Sequence, residues 1–75
     1  MKTKSDQLFL KKLGKRITTL RKSKGLTQVK LGEKCGMKRP SMNRIEKGKT
    51  NATFLTLRKV CKALEIDEFT LLNFK

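Results

Sequence analysis

The chain contains no histidine, tryptophan or tyrosine, and its 75 residues include two cysteines and one proline. Without imidazole there is no side chain that titrates near neutrality, and without a Cys/His cluster there is no zinc site, so most enzymatic readings fall away. No catalytic residue, cofactor or metal is expected. Long apolar runs are missing as well, the longest being the three residues Leu8-Phe9-Leu10. A membrane span needs about 20 apolar residues and the core of a secretory signal about 7–15, so the basic start Met1-Lys2-Thr3-Lys4 is not read as a leader. The chain is expected in the cytoplasm, with no membrane partner. Acidic side chains are scarce, six against 20 Lys and Arg, and the formal charge of +14 predicts attraction to a polyanion.

A chain of this length is expected to form one small domain with no second, catalytic one. Residues 1–50 hold 16 basic and 3 acidic side chains, whereas 51–75 hold 4 and 3, so the basic surface belongs to the first two thirds. A solvated charged tail would have sparse, unpatterned apolar residues; here they make up 36% and recur at helical spacing. Ser5 or Asp6 can cap a first helix with Phe9 or Leu10, Leu13, Ile17 and Leu20 inward, ended by Gly25. A flexible basic N-terminus over 1–7 and a single domain over 8–75 are expected. The other face of the first helix carries Lys11, Lys12, Lys15, Arg16, Lys22 and Lys24, which either solvate it or help line a phosphate track. Thr27 caps a short second helix, Gln28 to Cys35, stopped by Gly36, and a third segment, Pro40 to Lys47, buries Met42 and Ile45. Thr53 caps a fourth helix with Phe54, Leu57, Val60, Cys61 and Leu64 inward, and Asp67 caps a brief fifth. No stretch reads as a strand, so the fold is expected to be all-α with five helices.

The stretch 27–48, TQVKLGEKCGMKRPSMNRIEKG, is more detailed than amphipathicity requires. Gly32 suits the close approach of two helices and Gly36 a turn residue tolerant of positive φ. Leu31, Cys35, Met37, Met42 and Ile45 form one apolar seam. Here the sequence resembles the helix-turn-helix of the phage-repressor and Cro-like family, also called the XRE family. The resemblance runs from about Leu13 to Leu72, through LGKRITTLRKSKGLTQ and RIEKG to TLRKVCKAL, with all parts in register. It implies a compact five-helix, lambda-repressor-like DNA-binding domain whose helices 2 and 3 form the helix-turn-helix.

Carried over from the resemblance, Arg39, Pro40, Asn43 and Arg44 are the base-facing residues of the recognition helix. Arginine suits guanine O6 and N7, asparagine suits adenine, and the proline ring suits a thymine methyl. Gln28 at the start of the second helix is expected to bond a phosphate through its side chain and backbone N–H. Ser41 is a further phosphate or base contact, and Lys38, Lys47 and Lys49 suit phosphates. Arg21 and Glu46 correspond to a structural ion pair joining the first helix to the end of the recognition helix. Three departures stand out: Lys38 in place of a Ser, Thr or Asp cap, Pro40, which suggests a late start for helix three, and Gly32 where Ala is usual.

Cys35 and Cys61 sit at positions that are small and buried in the family, which makes them reduced thiols and not a disulfide or redox switch. The implied function is a sequence-specific transcriptional regulator, a small repressor or autoregulator. It would bind two-fold symmetric double-stranded DNA through the major groove as a homodimer and be nucleoid-associated when bound. Phe69, Leu71, Leu72 and Phe74, in a segment over about 66–75, either form the dimer surface or close the monomer's core. Two alternatives stand beside this reading. One is an antitoxin-type protein that inhibits an unidentified protein partner and autoregulates its operon; the other is a non-specific chromosomal DNA-binding protein.

Overall fold

Thr3 caps the first helix reciprocally: the Asp6 N–H donates to the Thr3 hydroxyl at 3.0 Å and the Thr3 N–H donates to the Asp6 carboxylate at 3.2 Å. Each satisfies a backbone group that a bare helix end leaves unpaired. Helix α1 therefore runs Lys4–Ser23, in a computed structural model that describes residues 3–74. This corrects both the cap expected at Ser5 or Asp6 and the flexible segment 1–7, of which residues 4–7 are helical. Met1 and Lys2 lie outside the described residues.

Four shorter helices follow: α2 (Gln28–Cys35), α3 (Arg39–Glu46), α4 (Phe54–Leu64) and α5 (Glu68–Leu72). No strand occurs among the described residues. Thr27, Thr53 and Asp67 each accept a hydrogen bond from the backbone N–H three residues on, which fixes the starts of α2, α4 and α5. Helix α3 has no side-chain cap, since Lys38 has no acceptor, and it nonetheless starts at Arg39, not late. Pro40 is tolerated because it stands in the first turn, where backbone N–H groups have no intrahelical partner.

Helix α2 packs on α3 and α4, α1 packs on α3 and α5, and α4 closes on α5. Ile17, Leu31, Met42, Val60, Leu64 and Leu71 are fully buried, so every helix contributes to one core. Helices this short are marginal alone, and burial of about 1.5–3 kcal/mol per large aliphatic side chain is what holds them. Close approach is enforced by glycine at three places, one of them Gly48, where a methyl would overlap the α1 backbone at Lys11. A methyl at Gly14 of α1 would overlap the carbonyl oxygens of Ile45 and Glu46 in α3, and one at Gly32 would stand 2.7 Å from the Met37 carbonyl oxygen in the turn.

The C-terminal third differs from expectation in two ways. Phe54 does not face inward: it is 87% exposed, because the first turn of α4 projects beyond the elements against which Leu57, Val60, Cys61 and Leu64 are packed. Leu71 belongs to the monomer's core, and Phe74 is half-buried with its ring 5.5 Å from that of Phe9. Neither is a free dimer surface, whereas Phe69 and Leu72 are exposed. Arg16, read from sequence as a surface cation, donates from Nη2 to the Thr70 carbonyl at 2.9 Å and ties α1 to α5.

Candidate nucleic-acid interface

Eight residues of α3 divide cleanly between core and solvent. Met42, Ile45 and Glu46 are buried, while Arg39, Pro40, Ser41 and Arg44 are exposed and Asn43 is half-exposed. At about 100° per residue, positions 39, 40, 43, 44 and 47 fall within an arc of about 140°. The four residues expected to face bases thus share one solvent-facing stripe, with Lys47 continuing it and Ser41 at its flank. Lys38 and Lys49, just outside the two ends of α3, are exposed as well.

The stripe is held from below by Glu46. Its carboxylate accepts from Arg21 Nε at 2.8 Å, from Arg21 Nη2 at 3.1 Å and from Gln28 Nε2 at 3.0 Å. The Thr18 hydroxyl stands 2.9 Å from the same carboxylate and 3.0 Å from the Gly14 carbonyl, with one proton to share between them. Arg21 also donates from Nη1 to the Leu26 carbonyl at 2.8 Å, so one guanidinium fastens the end of α3 and the loop before α2 to α1. Burial alone would raise the pKa of Glu46, but the hydrogen bonds from Arg21, Gln28 and Thr18 and the Arg21 charge hold it below the ordinary carboxylate value. With both side chains at most 10% exposed, the pair is a buried one and not a surface ion pair.

Gln28 is placed differently from the expectation drawn from sequence. Its amide NH₂ points into the protein, to Glu46 and, at 3.2 Å, to the Asn43 side-chain oxygen. Glu46 only accepts, which orients the Gln28 amide; Gln28 in turn occupies the Asn43 oxygen and leaves the Asn43 NH₂ as an outward donor. For a phosphate, Gln28 has its backbone N–H at the α2 N-terminus; its side-chain donor is already engaged, and the side-chain phosphate contact is corrected accordingly. Sequence reasoning also passed over Thr50 and Asn51, which share a cleft of about 240 Å³ with Ser41 and Arg44 beside the stripe. Their short polar side chains follow the Lys-Gly-Lys that ends the recognition segment, the one cue the sequence offered.

Cys35 and Cys61 are buried, free thiols at the α2 and α4 packing positions. Burial raises both pKa values, against the lowering charge of Lys59 at Cys35 and assisted by Glu68 and Asp67 at Cys61.

A family model described as helix-turn-helix matches residues 17–71. The chain belongs to this helix-turn-helix family. Its fold and family are those of DNA-binding regulators, of the XRE type that the sequence resembles. It is 38% identical over 64 residues to the HTH-type transcriptional regulator SinR of Bacillus licheniformis, covering 84% of this chain. The chain spans 58% of that relative's length. Among solved structures it is similar to the restriction-modification controller protein C.AhdI from Aeromonas hydrophila. The TM-score is 0.84 at 32% identity, over 87% of this chain and 94% of that one. It is also similar to the controller protein C.Esp1396I, seen as a tetramer in complex with its natural 35 base-pair operator. There the TM-score is 0.77 at 30% identity, over 84% and 83% of the two chains. No helix among the described residues is long and apolar enough to cross a membrane.

Proposed function

We propose that this helix-turn-helix protein is a sequence-specific, double-stranded DNA-binding transcriptional regulator that seats α3 in the major groove. The observation that carries the reading is the division of α3: Arg39, Asn43 and Arg44 stand outward on one stripe while Met42, Ile45 and Glu46 anchor the helix beneath them. Arg39 and Arg44 offer bidentate donors for guanine, Asn43 an oriented NH₂, and the Pro40 ring an apolar edge for a thymine methyl. The Gln28 backbone N–H, Ser41, Lys38, Lys47 and Lys49 contact phosphates, with Thr50 and Asn51 beside them. The similarity to regulators and to a controller protein solved on its operator supports this assignment.

One such domain makes few base contacts, and a homodimer is the simplest way to double them. Phe54, Leu55 and Leu72 are exposed around a groove of about 460 Å³ that also meets Arg58 and Glu68, and Phe69 is exposed on α5. This face suits a two-fold contact, since Arg58 and Glu68 both line it and an isologous interface lets each meet its opposite charge on the other copy. The dimer face thus retains Phe69 and Leu72 of the original set and gains Phe54 and Leu55. Selection of bound duplexes from a random-sequence pool tests the reading. Enrichment of a two-fold symmetric site with half-sites about 10–10.5 bp apart is expected. Binding without any enriched sequence would turn the assignment to a non-specific chromosomal protein.

A further inference from the structure

Away from α3, four lysines gather where the end of α1, α2 and α4 meet. Lys24 caps α1, Lys34 stands in the last turn of α2, and Lys59 and Lys62 lie on successive turns of α4. Together they line a depression of about 520 Å³ that is open to solvent, its volume within the 300–1,000 Å³ of small-molecule sites. Its accessible apolar lining comes from the half-buried Leu26 and Ala63, with the fully buried Leu64 behind them. The ion pairs among the described residues are Arg21–Glu46 and Lys30–Glu33, so none of the four ammonium groups has a carboxylate within salt-bridge distance. Among the described residues Glu65 is the single acid that lines the depression. Like charges around one depression repel, and an anion seated between them turns that repulsion into attraction. No residue of α3 lines the depression, so an occupant does not compete for the reading stripe.

We propose that this depression binds a nucleoside polyphosphate, with its phosphates among Lys24, Lys34, Lys59 and Lys62 and its base against Leu26 and Ala63. The mixed lining selects this class. A bare phosphate leaves the apolar wall facing water, and duplex DNA has no free base face to lay on it. The Glu65 carboxylate, an acceptor, suits an exocyclic amino group of the base.

The test is a titration of the ¹⁵N-labelled protein, followed by amide chemical shifts at constant ionic strength, with ADP, inorganic pyrophosphate and adenosine as separate arms. Saturable shifts at Leu26, Lys34, Lys59, Lys62 and Ala63 with ADP are expected, α3 amides staying in place. ADP should bind more tightly than pyrophosphate, and adenosine weakest. The exposed pair Lys59→Gln/Lys62→Gln should weaken ADP at least tenfold, whereas Lys11→Gln/Lys12→Gln, which removes the same charge from α1, should bind as the parent does. Shifts centred on α3, shifts that do not saturate, or equal loss in the two double variants would overturn the site. Pyrophosphate binding as tightly as ADP would overturn the nucleotide.

Discussion

Glu46 is buried with its carboxylate accepting from Arg21 and Gln28 and lying within reach of the Thr18 hydroxyl. Removing it by Glu46→Ala strands the Arg21 guanidinium without its counter-charge, a change that costs about 3–5 kcal/mol at buried pairs. Urea unfolding should read that loss, and a smaller one for Glu46→Gln, whose amide oxygen still accepts from Arg21. A loss under about 1 kcal/mol, as for surface pairs, would contradict the buried role. The pH dependence follows in sign. The folded pKa lies below the ordinary value of 4.5, so the stabilisation is present in full above that value and is lost as pH falls through it toward the folded pKa. The Glu46→Gln variant should lack this component of acid destabilisation. On the DNA side, Lys49→Ala should weaken cognate and random duplexes alike and reduce the salt slope by about 1, since a phosphate contact carries no sequence information.

At the scale of elements, the junction of α1 with α3 sets the angle at which the stripe is presented. Gly14→Ala should destabilise by about 1–3 kcal/mol, because the neighbours it meets are backbone carbonyls that cannot swing aside. Thermal unfolding checks this; an unchanged midpoint would mean that α1 and α3 are less closely apposed. Helix α2 was legible in the sequence to the residue, because Thr27 caps it and Gly36 ends it in the left-handed conformation. Leu13, Ile17 and Leu20 of α1 and Leu57, Val60, Cys61 and Leu64 of α4 were legible from spacing, whereas Phe9, also expected inward with Leu10 as its alternative, is exposed and Leu10 is not packed against the core. What escaped has physical reasons. Phe54 obeys the helical period of α4, yet period does not tell where a helix outruns its neighbours. The Thr3–Asp6 cap sits among other plausible caps, and only the contact distances choose between them. The Gln28 amide could be given to a phosphate or to Asn43 and Glu46 until the crossing of α2 and α3 placed all three together. Arg16 looked like its exposed lysine neighbours because its acceptor, the Thr70 carbonyl, lies 54 residues away.

At the level of the molecule, the exposed apolar side chains of α4 and α5 belong to different elements from the α3 stripe. The exposed Phe54, Leu55, Phe69 and Leu72 suit self-association, while the α3 stripe and its flanking lysines suit DNA. Phe69→Ser should raise the dimer dissociation constant in sedimentation equilibrium and leave the unfolding midpoint of the dilute monomer nearly unchanged, its side chain being 77% exposed. Leu71→Ala should instead cost about 2–5 kcal/mol of monomer stability, as a core truncation does. The reverse pattern would exchange the places of the two residues.

Whether the outward stripe of α3 reads base sequence is decided by a single binding comparison. It is the affinity of the parent protein and of Arg44→Ala for the selected duplex and for a random one, across a series of salt concentrations. The parent should keep a specificity ratio as salt rises, and Arg44→Ala should lose about 1–3 kcal/mol in cognate binding with a smaller change on random DNA. Equal losses on both duplexes would make Arg44 a phosphate contact and contradict base reading by the stripe.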